Sequence, residues 1–303
     1  MNNVPGYISL YESGELQERI AELEQMLQPC HLCPRRCLVE RKDGKVGVCQ
    51  ALSELVVSSA FPHFGEEPPL VGFHGSGTIF LSHCNLRCVF CQNYEISHLG
   101  EGGQVSTEQL AAMMIQLQQF GCHNINFVTP THYTPQIIAA LPKAIELGLE
   151  IPLVYNCGGY ESVETLRLLE GIIDIYMPDF KYSDAAAARR YSNAPDYFEI
   201  AKAAVAEMHR QVGVLQLNEQ GIAVRGLLIR HLVMPNQVVG SKEILQFIAQ
   251  QLSPDSYVNI MDQYRPCYKA VHFPEINRRI TQKEYDEVIR WALDAGLHRG
   301  FYY

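Results

Sequence analysis

The chain has no run of about 18 apolar residues, the length a helix needs to cross a bilayer. Its opening, MNNVPGYISLYESGELQERI, has neither a basic leader nor an apolar segment behind it. A membrane-spanning helix and a secretory signal are therefore not expected, and the chain reads as soluble and cytoplasmic. Positive charge is also scarce. Lysine and arginine number 24 against 33 acids, a formal charge of −9, which leaves no broad basic footprint for nucleic acid or an anionic membrane. Neither is expected as a partner. What the chain does have is 303 residues, 47% of them hydrophobic, enough for one large α/β domain or two ordinary ones. It also has ten cysteines, which a reducing cytosol turns towards metal or cluster ligation rather than disulfides. Seven fall into two tight groups, Cys30, Cys33, Cys37 and Cys49, then Cys84, Cys88 and Cys91; Cys122, Cys157 and Cys267 are left over.

Residues 12–27 carry Leu16, Ile20, Leu23 and Leu27 at helical spacing, so one amphipathic helix is expected ahead of the first cysteine group. Residues 30–49 lack apolar periodicity and contain Arg35, Arg36, Arg41, Lys42 and Lys45; a metal would have to hold such a segment together. After a Pro- and Gly-rich connector, FPHFGEEPPLVGFHGSG, strands are expected at 78–82, 124–129, 152–156, 173–177, 226–234 and 257–261. Helices are expected at 107–120, 135–147, 162–169, 197–212, 241–251 and 281–295, with Thr107, Ser162, Ser241 and Thr281 as N-caps. Six strand-then-helix units predict a parallel sheet, because parallel neighbours need a crossover. A partial or full barrel of the TIM type is favoured over an open doubly wound sheet. Residues 1–60 read as an N-terminal helix with a four-cysteine accessory module, and 61–303 as the barrel with a C-terminal helix.

In such a barrel chemistry collects where strands end. Cys84 follows the first strand, TPTH (129–132) the second, YNCGGY (155–160) the third, PDFK (178–181) the fourth, RHLVMPN (230–236) the fifth and MDQYRP (261–266) the sixth. Of Arg230 and His231, neighbours on one strand, only one can face inward. Thiolates bind iron strongly, and each iron of a cubane takes one outer ligand, so three cysteines leave one iron open. A structural zinc completed by His83 or His98, or simply buried thiols, are the plain alternatives.

The spacing Cys84-x3-Cys88-x2-Cys91, with Phe90 before the last thiol and the loop placed after strand one, resembles the radical S-adenosylmethionine (radical SAM) superfamily. The stretches CHLCPRRCLVERKDGKVGVC, EEPPL and GSGTIFLSHCNLRCVFCQN are similar to its subgroup of iron-sulfur proteins related to pyruvate formate-lyase activating enzyme. The resemblance covers residues 30–270. It implies a partial (βα)6 barrel, a [4Fe-4S] cluster on Cys84, Cys88 and Cys91, and S-adenosylmethionine (AdoMet) chelated by its methionine end to the open iron. One electron, from a donor such as flavodoxin or ferredoxin, then cleaves the sulfonium to a 5′-deoxyadenosyl radical. Relatives carry a GGEP-like stretch after the second strand; here Val128-Thr129-Pro130-Thr131-His132 stands in that place, without glycine or acid, so Thr129 carbonyl, Thr131 hydroxyl or His132 is expected to receive the AdoMet ammonium. Phe90, Asn156, Asp179 and Lys181 correspond to cofactor-contacting positions, Lys181 suiting the carboxylate.

The four cysteines 30, 33, 37 and 49 close a coordination sphere, which suits either structural zinc or a second iron-sulfur cluster. Three functions follow. The first is an activase taking a hydrogen from a glycine of a glycyl radical enzyme, for which the barrel needs a lateral gap. The second is a radical enzyme acting on a small molecule or peptide, with a pocket lined by residues such as His132, Tyr133, Tyr155, Tyr160 and Tyr264. The third is a non-catalytic metal scaffold, which would not need polar clusters at every strand end.

Overall fold

The computed structural model describes residues 5–301; residues 1–4, part of the opening read for a leader, and Tyr302 and Tyr303 lie outside the described residues. Its strands are β1 (Leu55–His63), β2 (Ser76–Leu81), β3 (Gly103–Val105), β4 (Ile125–Val128), β5 (Leu153–Cys157), β6 (Ile175–Pro178), β7 (Gln216–Leu217), β8 (Ala223–Leu232) and β9 (Tyr257–Met261). The ladders β2-β4-β5-β6-β8-β9 are all parallel. These are the six strands expected from the sequence, shifted by one to three residues at most ends. The last of the expected β8 residues fall away because Pro235 has no N–H to extend a ladder. Antiparallel β1 and β3 extend the β2 side, and β9 pairs with β8 alone on the other. Among the described residues no ladder joins the two sides, so the barrel is partial and open.

Strand β1 occupies part of what reads as connector, and the boundary drawn at residue 60 falls inside it. Its alternation is hidden by two serines and a proline in LVVSSAFPH. The helix expected over 12–27 is two, Gly6–Ser13 and Glu15–Gln25, hinged at Gly14 with φ +84°. A helix at Ala185–Ser192, missed for want of an apolar period, starts on the Asp184 carboxylate, which accepts from Ala187 N at 2.7 Å. Capping also moves by one residue in two places. Ser106, not Thr107, closes a capping box with Gln109, and Gly240 precedes the helix at Ser241; Thr281 caps with Glu284 as expected.

Alternation along the strands separates two cores. Ile79, Ile125, Phe127, Leu153, Tyr155, Tyr176, Leu227, Ile229 and Val258 belong to the large outer core under the helices. Val154, Ile175, Met177 and Leu228, each one residue out of phase, form a small inner core that also contains Leu70. Leu70, from the EEPPL segment, plugs the barrel floor. The N-terminal segment is built into the outer core through Leu16, Leu23, Leu27 and Leu32, with Tyr7 OH donating to Ile151 O at 2.9 Å and Thr165 Oγ1 to Leu32 O at 2.7 Å. Residues 30–49 contain only one short 3-10 turn, Arg41–Asp43.

Candidate active site

Strand β2 delivers the thiol loop to the barrel mouth. His83 and Arg87 take left-handed backbone, φ +73° and +51°, and so curl the chain between and around the cysteines. Buried Asn85 fixes the loop, its Nδ2 donating to Tyr160 O at 2.9 Å. Leu86 lies against Gly158, where a Cβ would approach Leu86 Cδ1 to 2.6 Å, so a larger residue there would push the leucine tip aside. Leu86 N donates to Cys84 Sγ at 3.4 Å, Ser192 Oγ to Cys88 Sγ at 2.9 Å, and Cys91 Sγ lies 3.1 Å from Ser97 Oγ. All ten cysteines are free thiols. Burial, then neighbouring Cys88, pushes the Cys84 thiol up to about 12, and burial raises Cys91 despite the Ser97 hydrogen bond. The three sulfurs thus feel one another. Yet among the described residues no three Cys, His, Asp or Glu side chains are drawn together around one metal-ion position. As donors, three thiols fit the outer ligands of a [4Fe-4S] cluster, one per iron with one iron left without a protein ligand. His98, considered for a zinc, places Nε2 3.1 Å from Cys88 O.

Beyond the loop, the inner faces of β5, β6 and β8 present a connected polar lattice. Arg230 donates from Nε to Asp179 Oδ1 and from Nη2 to Asn156 Oδ1, both at 2.7 Å. Lys181 Nζ donates to Asp179 Oδ2 at 2.6 Å. The three charged side chains are only 17–19% exposed, so this is a buried lattice and not the surface ion pair that Asp179 and Lys181 could otherwise form. Burial opposes the charge on Asp179, but Arg230 and then Lys181 outweigh it and hold the carboxyl below its usual range. Burial likewise opposes Lys181, but Asp179, with Cys88 behind it, keeps the ammonium charged. Of the adjacent pair, Arg230 faces inward; His231 faces the other side, its ring nitrogens on Phe180 O and Ser241 Oγ at 2.7 and 2.9 Å.

Glu66 and Glu67, on the connector beneath the lattice, are residues the sequence reading passed over. Arg230 Nη1 is 3.5 Å from Glu66 Oε2, and Asn259 Nδ2 donates to Glu67 Oε1 at 2.9 Å. Burial, opposed by Arg230 and reinforced by Glu67, raises Glu66 to about 7. The EEPPL stretch was the available signal, two adjacent acids before prolines in an otherwise apolar connector.

At the end of β4, Thr129 adopts φ +61°, a conformation rare for a β-branched residue. The glycine-like turn is therefore kept although the glycine is not. Thr131 Oγ1 donates to Glu161 Oε1 at 2.8 Å, and Tyr155 OH to Glu161 Oε2 at 3.3 Å. Glu161 is buried, and burial, partly offset by these hydrogen bonds, pushes it up to about 8. An acid thus stands beside Thr131 after all, brought from the β5 loop by the fold. His132 turns differently from the expected ammonium acceptor: it is 2% exposed, Nε2 lies 2.7 Å from Ser82 O, and it lines a cavity with the other cysteine group. Phe90 packs edge-on against Tyr191 and Tyr264, at 6.4 and 6.0 Å between centroids. Tyr133, Tyr155 and Tyr160 are buried beside these loops as well.

Cys30, Cys33, Cys37 and Cys49 all line one tight cavity of about 10 Å³. Arg35 joins it to the thiol loop: Nε donates to Asn85 O at 2.9 Å, Nη2 to Ser192 O at 2.9 Å, and the guanidinium stacks 5.0 Å from the Tyr160 ring.

The family model for the radical SAM superfamily matches residues 78–248, more than half of the chain. Uncharacterized protein MJ0674 of Methanocaldococcus jannaschii is 34% identical over 284 residues, covering 91% of this chain and 78% of that protein. Uncharacterized protein MJ0808 of the same organism is 24% identical over 268 residues, covering 81% and 73%. Among solved structures, native anSMEcpe with bound AdoMet and Kp18Cys peptide aligns with a TM-score of 0.46 and 11% identity over 75% of this chain. The chain spans only 58% of that protein's length.

Proposed function

Because the chain belongs to the radical SAM superfamily, with the [4Fe-4S] cluster and AdoMet that membership carries, we propose that Cys84, Cys88 and Cys91 ligate the cluster and that the enzyme activates a glycyl radical enzyme. The observation that carries this reading is the placement of three mutually close, unbridged thiols after the first parallel strand, facing the Asp179–Lys181–Arg230 lattice across the mouth. Cys84, Cys88 and Cys91 would hold the cluster, which, with AdoMet bound, would supply one-electron reductive cleavage and hydrogen-abstraction chemistry.

The chain's own residues bind and shield. Lys181, kept charged by Asp179, receives the AdoMet carboxylate. Thr129 carbonyl and the Thr131–Glu161 pair receive its ammonium; Glu161, which has no cation of its own among its hydrogen-bond partners, gains one on binding. Asn156, oriented by Arg230, faces the ribose. Phe90 and its aromatic neighbours keep water from the loop. The sheet does not close between its two edges, which supports a peptide-loop substrate over a small molecule. A flavodoxin- or ferredoxin-type donor supplies the electron. The segment ahead of β1 acts as an accessory module on the barrel, its four cysteines holding a second metal.

Anaerobically reconstituted protein, given AdoMet and dithionite, is expected to release 5′-deoxyadenosine, and Cys88→Ala to abolish it. Survival of that activity relocates the site. Deuterium from an α-deuterated glycine in a glycyl radical enzyme is expected in the 5′-deoxyadenosine; label appearing only from small molecules refutes the activase assignment.

A further inference from the structure

We propose that the surface cleft bordered by Arg35, Arg87, Arg189 and Arg190 is the face on which an acidic one-electron carrier protein docks to reduce this enzyme. The proposal rests on the reading above that Cys84, Cys88 and Cys91 hold the catalytic cluster.

Charge carries the argument. The chain bears −9 overall, yet four arginines from three separate segments meet around one open cleft of about 270 Å³, and no Asp or Glu lines it. Arg190 is already matched, with Nε on Glu275 Oε1 at 2.6 Å and the guanidinium 5.0 Å from the Phe273 ring. The other three are not. Arg35 spends its donors on the carbonyls of Asn85, Ser192 and Asn193, Arg87 leaves Nη1 buried without a partner, and Arg189 is exposed. Among the described residues no acid pairs with any of them. Exposed Lys269 adds a cation on the far side of Val89, its backbone N donating to Val89 O at 2.9 Å. A concentration of uncompensated positive charge on an acidic protein steers an anionic partner towards that one face. Val48, 38% exposed, and Val89 give the cleft an apolar centre, and an apolar centre with arginine at its edge is the make-up of a protein interface, not of a pocket for a small anion.

Position names the kind of partner. Arg87 and Val89 flank Cys88 in the chain, Val89 N donates to Tyr191 O at 2.9 Å, and Ser192 Oγ donates to Cys88 Sγ at 2.9 Å. The cleft wall is therefore hydrogen-bonded to a catalytic thiol. On the opposite wall Val48 N donates to Cys37 Sγ at 3.4 Å, so residues of both cysteine groups stand behind this face. Delivery of an electron needs this closeness and nothing more: the carrier is oxidised by one electron, the cluster on the loop is reduced by one, and no atom or proton is transferred. Complexes of that kind are small, weak and steered by charge.

The test is isothermal titration of an acidic flavodoxin, the probe, into the full-length chain without AdoMet, at roughly 20 and 300 mM salt. Wild type is expected to bind, and to bind more weakly at the higher salt. Arg189→Glu/Lys269→Glu is expected to weaken binding about tenfold or more at low salt, while Lys143→Glu/Lys202→Glu, the same change of charge on helices that do not line the cleft, is expected to weaken it by less than about threefold. Formation of 5′-deoxyadenosine driven by reduced flavodoxin should fall in the cleft variant, and that driven by excess dithionite should not. No loss of binding in the cleft variant, or equal loss in both double variants, overturns the proposal. If dithionite fails to drive 5′-deoxyadenosine formation in wild type, the catalytic-loop reading falls instead, and the titration still decides the docking face. Should the glutamate variant fail to fold, Arg189→Gln/Lys269→Gln is expected to show a smaller loss of the same salt dependence, and wild-type affinity in that variant overturns the proposal equally.

Discussion

Replacing Asp179 by asparagine tests whether the lattice at the barrel mouth is a coupled buried network. Asp179 accepts from Arg230 at 2.7 Å and from Lys181 at 2.6 Å, all three side chains being 17–19% exposed. Asparagine keeps the shape but leaves Lys181 without its counter-charge and Arg230 with only the more distant Glu66 and Glu67. Removing one partner from a buried ion pair costs about 3–5 kcal/mol, against about 1 kcal/mol or less for an exposed pair. At roughly 2–4 °C per kcal/mol for a chain approaching this size, the midpoint of thermal unfolding should fall by on the order of 10 °C. Arg230→Met relieves part of that conflict, so the double substitution Asp179→Asn/Arg230→Met should lose less than the sum of the singles, by about 1–3 kcal/mol. The Asp179 carboxyl is depressed when folded; its contribution is therefore present above the unfolded carboxylate value of 3.8 and lost as pH falls through the lower folded one. Wild type and Asp179→Asn should converge in acid. The assay is urea or thermal unfolding without AdoMet, at neutral pH and again near pH 3. Single losses that add within about 0.5 kcal/mol, or a loss below about 1 kcal/mol for Asp179→Asn, refute the network.

Glu161, raised to about 8 from 4.5, has the opposite sign: it favours the folded state below pH 4.5, and this is lost as pH rises towards 8. Glu161→Gln should remove a stability slope of about 1.4 kcal/mol per pH unit in that window, measured by urea midpoints at pH 5, 6.5 and 8; an unaltered slope rejects the assignment. Thr129→Gly should raise stability by about 1 kcal/mol, because glycine takes φ +61° without the strain of a β-branched residue, less its added chain entropy; a loss would show that the threonine is not strained. Leu70→Ala, emptying the fully buried plug of the inner core, should cost about 2–5 kcal/mol in urea unfolding.

Cysteine spacing and strand order were legible because both are local. The interval from Cys84 to Cys91 is short enough that chain connectivity alone keeps the thiols together, and the apolar runs of β4, β5 and β6 announce strands buried on both faces. The placing of Thr129 at the end of β4 was legible for the same reason. By contrast, β1 was hidden because a strand with Ser58, Ser59 and Pro62 carries a weak alternation. The helix at Ala185–Ser192 was hidden because four alanines and two arginines carry no apolar period, although Asp184 ahead of them was a readable cap.

The amino-acid sequence by itself determined the radical SAM cysteine loop, the six parallel units and the strand ends at which polar residues gather, since each depends on spacing within about thirty residues. Only the tertiary structure decided that Glu161 sits beside Thr131, that Glu66 and Glu67 meet Arg230 from more than 160 residues away, that Arg230 and not His231 faces inward, and that His132 belongs to the cavity of the first cysteine group. Those pairings arise when parallel strands fall into register and the connector folds across the barrel floor, and a register between distant segments leaves no mark on either one.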